Sequence, residues 1–98
     1  MRYQWRAKPP KSPPTRLVWS EIDAIVIHYS GMAHDLTGDY MARLRAIQNY
    51  HMGPGGLGVP SGGNDIAYNK AVSRNGARYD LRGWQVMSGA TGADNDHT

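Results

Sequence analysis

Four side chains in this sequence have the types and neighbours that chemistry requires. His28 closes the apolar run Ile25–Val26–Ile27 and is followed by Tyr29, Ser30 and Gly31. A histidine at the mouth of a buried strand stands on a rigid support, and neutral imidazole is a zinc ligand. It is equally a satisfied histidine at a strand end. A zinc site needs about three or four protein ligands, and no H-x-x-x-H or H-E-x-x-H spacing supplies them here. Tyr68 lies in Asn64–Asp65–Ile66–Ala67–Tyr68–Asn69. Its phenol could donate to a metal-bound water or a developing oxyanion, or pack as a half-buried core tyrosine. In Arg82–Gly83–Trp84, Arg82 could meet a carboxylate and Trp84 a flat sugar or peptide face. The plainer reading of that tripeptide is a turn with a packed tryptophan.

Other chemistries lack their residues. The chain has no cysteine, which excludes disulfides, thiolate sites and cysteine nucleophiles. The seven aspartates are scattered and Glu21 is the lone glutamate, so no carboxylate pair forms an acid–base couple on one element. His34, His51 and His97 fall in a loop, at a helix end and in the tail, and read as surface or capping residues.

The elements that must position these groups follow from local pattern. Ile22–Tyr29 reads as a buried strand, because a near-continuous apolar run suits a strand covered on both faces. Tyr40, Leu44, Ile47 and Tyr50 or His51 recur at helical spacing over Tyr40–Met52. Thr37 or Asp39 can cap that helix, and Gly53–Pro54 stops it. Gly53-x-Gly55-x-x-Gly58 matches a dinucleotide fingerprint in form only. The fingerprint needs a strand before it and a helix after it, and a helix precedes this one. Asp65–Ser73 reads as a second strand, Arg74–Asn75–Gly76 as a hairpin turn and Ala77–Leu81 as the return. Gln85–Met87 is short and extended. Residues 1–20 form a Pro-rich basic arm, with Trp5 and Trp19 available to pin it to the domain over 21–98.

Ninety-eight residues make one small domain with a limited core. No stretch approaches the ~18 apolar residues of a membrane span, and the basic N-terminus has no apolar run behind it to make a secretory signal. The net charge of +3 suits an ordinary solvated surface, or attraction to a polyanion such as nucleic acid or the bacterial wall. The basic residues do not form the aromatic-interleaved stripe of a nucleic-acid module, so no nucleic-acid or membrane partner is expected.

Taken in order, several pieces resemble the zinc-dependent N-acetylmuramoyl-L-alanine amidase family, which includes phage lysis amidases and peptidoglycan recognition proteins. They are Ile25–Val26–Ile27–His28–Tyr29–Ser30, Leu44–Met52, Asp65–Ile66–Ala67–Tyr68–Asn69, Asn75–Gly76–Ala77–Arg78–Tyr79, Leu81–Arg82–Gly83–Trp84 and Ser88–Gly89–Ala90 with Asn95. Each is weak alone; six in order over roughly residues 22–98 are specific. The resemblance implies an α/β (α+β) domain, a central mixed sheet flanked by helices and incomplete at its C-terminus. It implies peptidoglycan as partner, Zn2+ as cofactor, His28 as a metal ligand, Tyr68 beside the catalytic water, and Tyr29, Arg82 and Trp84 on the substrate. The reaction implied is hydrolysis of the lactyl–L-alanine amide by zinc-activated water. The family's later histidine and its cysteine or aspartate ligand belong to a segment downstream of residue 98, in this chain's continuation or in a second chain, and His97 sits too early to replace that histidine. A non-catalytic peptidoglycan-binding module and an inactive remnant are therefore the alternatives. The setting implied is a phage endolysin, cytoplasmic in the producing cell and acting at the wall after release.

Overall fold

The structure, a computed structural model, describes residues 2–28, 39–90 and 95. Helix α1 spans Tyr40–Met52. Its start is fixed by Asp39, whose carboxylate accepts from the Met41 N–H at 3.0 Å, satisfying one of the donors a helix leaves open. Thr37, the other candidate cap, lies outside the described residues. Leu44, Ile47 and Gln48 turn inward. The Gly53 N–H closes the last turn on the Asn49 carbonyl at 3.0 Å, and Pro54 then prevents continuation.

Strands β1 (Lys70–Val72) and β2 (Arg78–Asp80) form an antiparallel pair, with Lys70 opposite Asp80, Ala71 opposite Tyr79 and Val72 opposite Arg78. The expected turn lies between them. Gly76 takes φ 87° there, a conformation that glycine adopts without steric cost. The asparagine side chain of Asn75 accepts from the Ala77 N–H at 3.0 Å. Helix and hairpin together make an α+β fold.

The expected strand over 65–73 is mostly not a strand, for a local reason. The Ile66 N–H donates to the Asp65 carboxylate at 2.7 Å and the Ala67 N–H to His51 Nδ1 at 3.0 Å. Amides committed to side chains cannot join a ladder. The expected extended piece over Gln85–Met87 holds only in part: Gln85 sits in a turn with φ 58°, while Val86 bridges Arg16, the Leu17 N–H donating to the Gln85 carbonyl and the Met87 N–H to that of Thr15, both at 2.8 Å.

The core gathers Trp5, Leu44, Ile47, Ile66 and Leu81. Trp5 does more than pin an arm to a surface. It is 0% exposed, and its indole N–H donates to the Asp80 carbonyl at 2.7 Å. Around it, Arg2 forms a two-pronged ion pair with Asp65. Gln48 donates to Asp65 at 2.9 Å and exchanges hydrogen bonds with the backbone of Lys8 at 2.9 and 3.0 Å. The Pro-rich stretch is thereby tied to α1.

The apolar run corrects its own expectation. Ile22–His28 is not a buried strand: it belongs to no strand, and Ile25 and Ile27 are 81% and 93% exposed. Among the described residues the single sheet is the β1–β2 pair, so no neighbouring strand covers or pairs with the run. Among the same residues, no helix is long and apolar enough to cross a membrane.

Candidate functional site

The site begins at the C-terminal end of α1. The loop after the helix folds back onto it, and the Gly63 N–H donates to the His51 carbonyl at 2.8 Å. The approach is close enough that a Cβ on Gly56 would sit 2.1 Å from that same carbonyl oxygen. The glycine-rich segment thus serves as a clamp on the helix end. With its backbone held, His51 turns its half-buried ring toward the segment that enters β1. Its Nδ1 accepts from the Ala67 N–H, so the neutral ring carries its proton on Nε2. Burial, with the Arg82 guanidinium nearby, pushes its pKa below the ordinary histidine value.

That contact sets Tyr68 between two imidazoles. The Tyr68 ring lies 5.6 Å from the His28 ring and 5.7 Å from the His51 ring, tilted at 50° and 59°. Both separations suit attractive ring packing. His28 and Tyr68, selected in the sequence for their chemistry, are therefore neighbours. His51 was set aside as a capping residue, yet it completes the cluster. The signal was present, because residues 44, 47, 48 and 51 form one helical stripe that faces the core.

Trp84 lines the same cleft as His28 and Tyr68. The Asn69 side chain donates to the carbonyls of Gly83 and Val86 at 2.9 and 2.7 Å, and the Arg82 N–H donates to the Tyr68 carbonyl at 3.0 Å. Tyr68 and Asn69 thus hold the loop that displays Trp84. The indole is 56% exposed, packs against Trp19 at 6.4 Å and carries the Lys70 ammonium 4.9 Å from its ring centre. Trp19 is a second site residue that the sequence did not single out. Arg82 takes a different post: its guanidinium donates to the Ile66 carbonyl at 2.6 Å and to that of Met87 at 2.8 Å. It braces the loop from behind and does not line the cleft. Tyr29, His34 and His97 lie outside the described residues.

The cleft runs between α1, the β1 side of the hairpin and the Ile22–His28 segment, and holds about 640 Å3. Its floor is apolar, with Leu44, Ile66 and Leu81 at the bottom, and its rim carries His28, Tyr68, Trp19 and Trp84. A catalytic zinc does not fit the residues described. Among them no three His, Asp or Glu side chains come together, and the Nδ1 of His51 is already engaged by a backbone N–H. Among the described residues, His28 has no further metal ligands beside it, and one ligand does not make a zinc site.

Helix, hairpin and looped-back N-terminus make an α+β fold similar to that of a peptidoglycan recognition protein. The particular likeness is to the X-ray structure of bumblebee PGRP-SA, with a TM-score of 0.77 and 26% sequence identity. The match takes in 97% of this chain and 53% of that one, so this chain spans about half the length of the protein it resembles. No family model and no curated protein matches the sequence.

Proposed function

We propose that this chain is a peptidoglycan-binding module, in which the rim of His28, Tyr68, Trp19 and Trp84 holds a muropeptide and His51 packs against Tyr68. The observation that carries this reading is the Tyr68 ring packed against two imidazoles, in a cleft that an exposed tryptophan also lines. Flat aromatic faces suit sugar rings and peptide planes. Lys70 beside Trp84, and Arg43 and Arg74 on the cleft wall, suit the carboxylates of wall peptides. The likeness to PGRP-SA supports the same class of ligand. Binding needs nothing beyond these groups, whereas amide hydrolysis at His28 would need further metal ligands.

Sedimentation with insoluble peptidoglycan tests the proposal. The chain is expected to co-sediment equally with and without a chelator. Tyr68→Ala and Trp84→Ala should each weaken binding about three- to tenfold, the scale of one lost aromatic contact. Failure of the unaltered chain to co-sediment sinks the reading. Binding that vanishes with chelator, together with release of wall peptides, would restore the amidase.

A further inference from the structure

Leu57 stands where a leucine is disfavoured. It lies in Gly55–Gly56–Leu57–Gly58, and its backbone takes φ 55° and ψ 26°. In this left-handed region a side chain crowds the following carbonyl. Glycine, which flanks Leu57 on both sides, takes the same conformation freely. Among the described residues, Arg6 and Gln85 are the other non-glycines at positive φ. Such strain persists where the surrounding structure holds it, and it collects near ligand sites. The side chain of Leu57 supplies the reason here. It is half-buried and lies against two glycines far apart in the chain. A Cβ on Gly63 would come within 2.5 Å of Leu57 Cδ1, and one on Gly89 within 3.1 Å.

These contacts close a circuit behind the candidate site. The Gly63 N–H donates to the His51 carbonyl at 2.8 Å. His51 Nδ1 accepts from the Ala67 N–H at 3.0 Å, and the Ala67 carbonyl accepts from the Gly89 N–H at 2.8 Å. Leu57, touching both Gly63 and Gly89, joins the two ends. Arg82 reaches Gly89 as well: the same Cβ would lie 2.9 Å from its guanidinium, which donates to the Ile66 and Met87 carbonyls. Ser88 and Ala90, on either side of Gly89, line the cleft, whereas Leu57 does not. Leu57 therefore packs on this wall from outside the cleft. We propose that Leu57 is a positioning residue: its side chain presses the 88–90 segment against Ala67 and so fixes the cleft wall relative to the Tyr68–His51 ring pair. A glycine at this position would relax the backbone but leave Gly63 and Gly89 uncovered. That a displaced wall weakens muropeptide binding rests on the peptidoglycan reading; the placement of the wall by Leu57 does not.

Three substitutions separate the side chain from the strain. Leu57→Gly removes the contact at no backbone cost, Leu57→Ala removes it and keeps the strain, and Leu57→Met restores an apolar side chain of similar volume. Amide exchange of Ala67 and Gly89 should quicken about tenfold or more in Leu57→Gly, with Leu44–Gln48 of α1 unchanged within about twofold. Leu57→Ala should melt about 4–8 °C below Leu57→Gly. In sedimentation with insoluble peptidoglycan, Leu57→Gly should bind about three- to tenfold more weakly, and Leu57→Met within about twofold of the unaltered chain. Unchanged exchange at Ala67 and Gly89 in Leu57→Gly overturns the proposal. So does equal quickening throughout α1, which would make Leu57 an ordinary packing contact. Undiminished binding by Leu57→Gly, where the unaltered chain binds, removes the positioning role and leaves the peptidoglycan reading standing. If the unaltered chain does not sediment, the peptidoglycan reading falls and the exchange rates alone decide whether Leu57 places the wall.

Discussion

Trp5 and Ile27 occupy opposite poles of this molecule and invert what their neighbourhoods suggest. Trp5 sits in a Pro-rich, basic stretch and is completely buried; Ile27 sits in the most apolar run of the chain and is 93% exposed. The difference is one of partners. At the Trp5 pole, Asp80 offers a carbonyl, Leu44 and Ile66 offer packing surface, and Arg2, Gln48 and Asp65 satisfy one another around the ring. At the Ile27 pole, no described strand or helix lies across the run. Hydrophobic residues supply a driving force for burial, but burial happens only where a matching surface exists.

The largest effect should come from truncating the buried pole. Trp5→Ala removes a fully buried indole and leaves the Asp80 carbonyl without its donor. It should cost about 3–5 kcal/mol, enough to unfold much of a small domain. Ile27→Ser at the other pole should stay within about 0.5 kcal/mol. Urea unfolding of the two variants measures both, and near-equal losses would break the comparison.

A second, smaller effect should separate the poles by their polar groups. Asp65 is nearly buried and accepts from Arg2, Gln48 and the Ile66 N–H. Asp65→Asn keeps the shape but removes the charge that Arg2 meets, and turns one acceptor into a donor. The expected loss is about 1.5–3 kcal/mol. It should persist in high salt, because a buried pair is weakly screened. A loss that disappears in 1 M salt (Debye length about 3 Å) would mean that the pair behaves as a surface contact.

What could be read from the sequence divides along the same line. Helix α1 and the hairpin turn were legible because their determinants are local: the Asp39 cap, the Leu44/Ile47 spacing, the Gly53–Pro54 stop and the Asn75–Gly76 turn. The burial of Trp5 was not, since its partner carbonyl lies 75 residues away. The run at Ile22–His28 was misjudged because a pattern reports what a segment would bury, not what is present to bury it. Of the residues singled out for chemistry, His28 and Tyr68 lie ring to ring, although the strand expected to end at His28 is absent. His51 was passed over because its role depends on the Ala67 N–H, a contact that helix spacing alone does not reveal. Arg82 was expected to face a ligand, and its position behind the loop depends on the Ile66 and Met87 carbonyls.

The smallest effect should be a pH dependence confined to the junction between the poles. His51 holds the Asp65–Tyr68 segment through an acceptor nitrogen. Protonation would convert that nitrogen into a donor and set it against the Ala67 N–H. Because burial holds the folded-state pKa below the unfolded value, the unfolded chain binds more protons as pH falls below about 6.5. Stability should therefore be highest above that pH and decline as pH falls toward and through the lower folded value. His51→Asn places a non-titrating acceptor near the original Nδ1 and should flatten that part of the melting-temperature profile. If His51→Asn leaves the profile unchanged, the contact between His51 and the Ala67 N–H is not the titrating one. The clamp at the end of α1 would then not be what orients the ring cluster.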